Sequence, residues 1–287
     1  MAYRFQSSDK TVQKALRRIA LDRIDTSLSA LAKRELPRAA LVHELRKNIK
    51  KLRGLIRLVR PVFPEYRDEN AAFRDAGRAL STLRDSDVLA ATFDKLAQTA
   101  ELDAALRDRL RGALVSGPAG MPPDPDAALA AHHEALERFR RRARGWKIKE
   151  DGFDALEGGL GETWARAHQT MKAASREPTG LALHEWRKRV KDHWYHARLL
   201  TPIWPEMMDV HADAAGTLGE ALGDARDLAL LCEALTPLED ADDVISLARL
   251  REDRLLTDAR YIARRLLSEH TDSLTDRWRG WWKEWHK

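Results

Sequence analysis

Two stretches of the chain, residues 41–60 and 183–200, concentrate the side chains able to hold an anion. At about 100° per residue, Leu45, Ile49, Leu52, Ile56 and Val59 of the first share one apolar stripe. His43, Arg46, Lys47, Lys50, Arg53 and Arg57 lie roughly opposite. Between His43 and Arg60 seven Lys or Arg stand against the single acid Glu44. A solvated basic face normally interleaves acids one turn away. Without them the cations repel one another unless something negative lies alongside. One helical turn rises about 5.4 Å, so the row fits a linear polyanion better than a single phosphate.

The second stretch repeats the first. Placing His43 on His184 also places Arg46 on Arg187, Lys47 on Lys188, Lys50 on Lys191 and Arg57 on Arg198. Ile49 then falls on Val190, Pro61 on Pro202 and Pro64 on Pro205, which is an internal duplication. It departs from symmetry where Trp194 matches Arg53 and Asp192 matches Lys51, so the second row is expected to be the less basic. Arg84 and Arg226, each followed by an aspartate, match after a one-residue adjustment. Each could reach an anion or bridge to its neighbouring acid. Arg17, Arg18, Arg140, Arg264 and Arg265 are further rim candidates.

Apolar residues recurring at three and four predict helices throughout, and the alternation that strands need is absent. Ser7 or Ser8 is expected to cap a first helix that Pro37 ends. The first basic helix follows and stops before Pro61 and Pro64. Helices are expected from Tyr66, from Asp85 or Ser86, and over 102–114. The Pro- and Gly-rich segment 116–125 reads as a linker. Beyond it the helical pattern runs from about Asp126 to Ala174, followed by the second basic helix, a helix through Leu218 and Leu222, and one over 246–267. Trp278, Trp281, Trp282 and Trp285 share a helix face, expected to dock on the bundle, with an interaction surface as the alternative.

The 287 residues, 44% hydrophobic, are enough for a sizeable core. The net charge of +5 is modest, so the clustered basicity points to an anionic partner for one face. The single cysteine, Cys232, excludes an intrachain disulfide and a cysteine zinc framework. Lacking a signal-like leader or a spanning apolar run, the protein is expected to be soluble and cytoplasmic.

The duplicated His-x-x-Arg-x-x-x-Lys helices, with the Arg-Asp elements at Arg84 and Arg226, resemble the CHAD family, the histidine-bearing α-helical domain. The resemblance covers nearly the whole chain in order. It implies an all-α fold of two tandem four-helix-bundle-like halves, about 1–115 and 126–287, related by a pseudo-two-fold axis within a single domain. It also implies inorganic polyphosphate as the partner, held in a basic pore without cofactor or catalysis, and association with polyphosphate granules. Carried over by position, His43, Arg46, Lys47, Lys50, Arg53 and Arg57 would line one wall. His184, Arg187, Lys188, Lys191 and Arg198 would line the other.

Rival readings are weaker on the residues. The Val-His-Glu-Leu-Arg motif resembles the phospho-accepting box of sensor histidine kinases, but lysines follow it and a glycine-rich nucleotide lid is missing from the chain. An enzyme acting on polyphosphate through His43 or His184 would need metal-binding carboxylates or an activated nucleophile, and no carboxylates accompany the rows in sequence. His193-x-x-His196 suggests a metal, yet His193 falls on the apolar side and His196 on a flank, as packed histidines do. Nucleic acid is the competing polyanion, although aromatic residues that could stack on bases are absent from the first row.

Overall fold

The computed structural model describes residues 3–33, 35–80, 85–98, 102–116 and 124–287. Among them are eleven α-helices and no strand, so the fold is all-α. The cap of α1 (Val12–Lys33) is Thr11 rather than Ser7 or Ser8: its hydroxyl accepts from the Lys14 amide at 3.1 Å. α2 (Arg38–Leu58) enters after Pro37 and ends before Pro61. It is followed by α3 (Tyr66–Ala79), α4 (Asp85–Ala97) and α5 (Ala104–Ser116). α6 (Pro125–Ala143) is capped by Asp124, whose carboxylate accepts from the Asp126 amide at 2.9 Å.

The helical pattern across 126–174 conceals a corner. Residues 144–153 separate α6 from α7 (Asp154–Arg176), and Gly152 turns the chain at φ +59°. Trp146 in this corner is buried against Phe63 and Phe73, with ring centroids 5.3 and 6.3 Å away. Its apolar side chain continues the stripe although the backbone has left the helix. α8 (Gly180–Leu200) starts at Thr179, which accepts from the Ala182 amide at 3.2 Å. A short turn precedes α9 (Pro205–Leu235), one helix of 31 residues. α10 (Asp242–Leu266) and α11 (Thr271–Trp285) complete the chain.

The larger hydrophobic cluster joins α1, α2, α7, α8 and α11, and a second one fills the space between α4, α5, α9 and α10. The tryptophan stripe is core packing. Trp278 and Trp282 are buried, Trp282 stacks edge-on to Phe5 at 5.6 Å, and Trp281 meets Trp204 at 5.0 Å. At the centre α2 crosses α8 closely, because a Cβ on Gly54 would lie 2.8 Å from the Tyr195 Cβ. Those two residues hold equivalent places in the alignment of His43 with His184.

Histidines occupy several apolar sites. His193 lies between Trp164 and Trp278, and its Nε2 is 2.7 Å from that of His211. His196 Nε2 is 3.1 Å from the Gly54 carbonyl oxygen, so the ring donates there. Burial pushes His132 down to about 4, His196 to about 3 and His211 to about 4. Each is neutral in the fold and titrates near 6.5 when unfolded. Their contribution to stability is therefore complete above about pH 6.5 and lost as pH falls toward the folded values. Urea unfolding at pH 7.5, 5.5 and 4.5 should show a steep acid-side loss that His132→Leu makes shallower. An unchanged slope in that variant would contradict the assignment.

Candidate functional site

The crossing of α2 and α8 sorts the basic residues into two groups. Arg57 is only 6% exposed and pairs with Asp192, itself 8% exposed, on α8. Asp192 also takes Arg189 at 3.0 Å. Arg57 is thus a correction to the sequence reading: it faces inward and joins the two helices, because Asp192 stands where the first copy has Lys51. The reciprocal contact has the opposite character. Arg198, the counterpart of Arg57, is exposed and lies within electrostatic reach of Lys51, the counterpart of Asp192. One side of the crossing is a neutralised pair and the other a pair of like charges. Asp192 does not dilute the exposed row, as expected, but is buried beneath it.

Around Lys51 and Arg198 the exposed cations gather. Burial, with Arg23, Lys47 and Arg198 nearby, lowers the Lys51 ammonium to about 8. Burial, with Arg187, Lys50 and Arg198 nearby, does the same for Lys191. Lys50 of α2 and Lys191 of α8 are therefore close enough to repel. Lys191 Nζ rests 3.5 Å from the Trp194 ring centre, and Arg198 lies over the same ring at 5.2 Å. Trp194, where the first copy has an arginine, holds both cations in place.

Further along α8, burial lowers Arg187, with Asp227 opposing and Arg226 adding to the effect. His184 is likewise lowered, by burial first and then by Arg226 and Lys188. Its ring is neutral at pH 7, in line with the cationic surroundings that the motif predicts. Lys188 hydrogen-bonds Glu185 at 2.5 Å and Lys47 hydrogen-bonds Glu44 at 3.0 Å. Arg46 donates to the Leu80 carbonyl oxygen at 3.3 Å, and Arg53 to the Asn70 amide oxygen of α3 at 3.1 Å. His43 lines a recess of about 480 Å³ together with Lys95, Arg251 and the two acids that act on Arg187, Asp224 and Asp227. Arg84 lies outside the described residues. Three rim candidates serve other contacts: Arg17 donates to the Trp146 carbonyl at 2.7 Å, Arg18 pairs with Asp9 at 2.6 Å and Arg140 with Asp25 at 2.8 Å. Arg265 stacks on its own helix's Tyr261.

Two features of α9 escape the sequence reading. Its acids come close to the row: the exposed Glu220 acts on Lys191, and the exposed Asp224 and half-buried Asp227 act on Arg187. Besides Glu44, Glu185 and Asp192 of the basic helices themselves, carboxylates thus reach the rows from α9. Alongside those acids run Gly216, Gly219 and Gly223, against which Trp194, Lys191 and Arg187 respectively lie. The only available signal was their spacing of three and four on one helix face. Among the described residues no group of three or more His, Cys, Asp or Glu is placed to hold a metal ion, and no helix is long and apolar enough to cross a membrane.

The fold is all-α, with two basic helices crossing at its centre. The family model of the CHAD domain matches residues 19–236, and the chain belongs to the CHAD family. No curated protein matches the chain closely enough to be called a relative.

Removing one partner of a buried pair leaves an uncompensated charge and costs about 3–5 kcal/mol. Asp192→Ala should lose about that much by chemical denaturation, since both Arg57 and Arg189 then lack a carboxylate. The apolar double replacement Arg57→Met with Asp192→Leu should lose less than Asp192→Ala alone. The reverse order would show that the pair does not hold the crossing.

Proposed function

We propose that the protein binds inorganic polyphosphate along the exposed cations of α2 and α8, without turning it over, and that this binding tethers it to polyphosphate granules. The observation that carries the reading is the convergence of Lys50, Lys51, Lys191 and Arg198 at the crossing, where Lys51 and Lys191 hold their protons weakly. Such a cluster is repulsive by itself, and a chain of phosphates laid over it would relieve the repulsion. Membership of the CHAD family supports the same ligand. The contact between the equivalent positions Gly54 and Tyr195 supports two halves, about 1–115 and 126–287, arranged about that point.

The residues proposed to meet the ligand are His43, Arg46, Lys47, Lys50 and Arg53 from the first copy. From the second copy come His184, Arg187, Lys188, Lys191, Arg198 and Arg226, with Lys51 between the two rows and Arg57 beneath them. The histidines bind rather than catalyse: His184 has cations around it and the acid Glu185, which is held by Lys188. Neither arrangement makes it a nucleophile with a positioned base.

Isothermal titration with long-chain polyphosphate should give strongly salt-dependent binding, because each neutralised phosphate releases counterions. Lys50→Ala with Lys191→Ala should weaken binding and flatten the dependence of log K on log salt by about 2. Unchanged affinity would remove the crossing from the site. Matched amounts of RNA and DNA in competition test the other polyanions. With magnesium present, released phosphate or an acid-labile phosphohistidine that His43→Ala or His184→Ala abolishes would replace this reading by an enzymatic one.

The pH dependence follows from the signs. Lys51, Lys191 and His184 all have lowered values in the empty site, and a bound polyanion raises them, so protons are taken up on binding. Affinity should therefore rise as pH falls, first from about 9 to 7 through the two lysines and then from 8 to 6 through His184. Flat affinity over pH 9 to 6 would contradict the proposed contacts.

A further inference from the structure

Glycine within a helix is unfavourable relative to alanine because it gives up more backbone freedom on folding. Three of them on one face of α9 therefore call for a reason in packing. A Cβ built on Gly219 would lie 2.5 Å from Lys191 Cδ and 3.3 Å from its Cγ. One on Gly223 would lie 2.9 Å from Arg187 Nε and 3.0 Å from its Nη2. One on Gly216 would lie 3.1 Å from Trp194 Nε1. Reading up α9 from Gly216 to Gly223 is reading down α8 from Trp194 to Arg187, so each bare turn of one helix receives one side chain of the other.

These contacts differ from those at the helix crossings. At Gly159 a Cβ would overlap the Leu58 carbonyl oxygen, which is backbone and cannot yield. At Gly219 and Gly223 the obstructing atoms belong to flexible cationic side chains, which can swing away while the helices stay in place. Gly219 and Gly223 therefore matter less for whether α8 packs on α9 than for where its cations stand.

We propose that Gly219 and Gly223 are positioning residues for polyanion binding: their bare turns let Lys191 and Arg187 lie flat against α9, which sets the spacing of the second cation row. This rests on the polyphosphate reading given above. Laid along α9, Lys191 spans from the Gly219 backbone to the Trp194 ring, with its ammonium 3.5 Å from the ring centre. That posture also accounts for its half-burial and for its nearness to Glu220 and Lys50. With a methyl group at position 219 the stem must leave the groove, carrying the ammonium off the indole and into water.

The test compares the full-length protein with Gly219→Ala, Gly223→Ala and Gly280→Ala. The last is a helix control, since a Cβ at Gly280 meets nothing within 4 Å. Circular dichroism and thermal unfolding should show all three folded. Titration with long-chain inorganic polyphosphate at several salt concentrations should give Gly280→Ala the wild-type behaviour. Gly219→Ala and Gly223→Ala should bind about three- to tenfold more weakly, each with a salt slope reduced by about 1. A second readout needs no ligand. The Lys191 ammonium, followed by NMR, should titrate near pH 8 in the wild type and closer to the ordinary 10.4 in Gly219→Ala.

Wild-type slopes together with an unmoved Lys191 titration in Gly219→Ala would overturn the positioning role. Failure of the wild type to bind polyphosphate would instead sink the ligand assignment, and the ligand-free titration would still decide the role of Gly219. Should Gly219→Ala not fold, the double variant with Lys191→Ala, which removes the obstructing stem, is expected to fold. A double variant that remains unfolded would place the clash in the helices themselves and end the proposal.

Discussion

Where α2 crosses α8, a guanidinium and a carboxylate have both left water and face each other across the crossing. Neither Arg57 nor Asp192 can be lost singly without leaving a bare charge in the interior. The pair therefore fixes how far along α8 the first helix sits. That placement in turn decides which cationic side chains become neighbours: Lys51 comes to Arg198, and Lys50 to Lys191. Gly54 allows the approach by leaving room for Tyr195, and His196 donates to the Gly54 carbonyl oxygen. The concentration of like charge above is tolerated because the crossing below is held by packing, hydrogen bonds and one neutral pair.

Much of this was legible in the sequence. The helices were readable from apolar residues at three and four, and the ends of α2 and α8 from their prolines, because both signals are local. What escaped depends on partners distant in sequence. Arg57 has the same helical phase as its neighbours, and only the arrival of Asp192 turns it inward. Residues 144–153 keep an apolar beat through Trp146 while the backbone turns at Gly152, so periodicity alone ran two helices into one. Thr11 displaced Ser7 and Ser8 as the first cap because it immediately precedes Val12, where both the apolar pattern and the helix begin. Asp192 was legible as an oddity in the repeat, yet its meaning reversed: in sequence it dilutes a basic row, and in the fold it lies beneath one.

The half-buried state of the cations gives the site its chemical character. An ammonium fully in water is well solvated and gains little from a phosphate, whereas Lys51 and Lys191 have given up part of that solvation and lie among like charges. Contact with an anion therefore returns more to them than to an ordinary surface lysine. The tolerance for Trp194 in place of a third arginine fits this picture. An aromatic face under Lys191 and Arg198 keeps two cations together without adding another charge to repel them.

The carboxylates of α9 bear on how such a site meets its ligand. Glu220, Asp224 and Asp227 run beside Lys191 and Arg187, so this part of the surface is mainly positive along one helix and, Arg226 apart, negative along the next. Beyond a Debye length, about 8 Å at physiological ionic strength, the two signs largely cancel, and little field remains to steer anions in from afar. For the ligand proposed above, discrimination would then fall to the last few ångströms, where a thin, densely charged strand meets fewer of the acids. A broad duplex would have to lie across both. On the reading proposed above, the acidic helix would favour a thin strand of phosphates over a broad duplex.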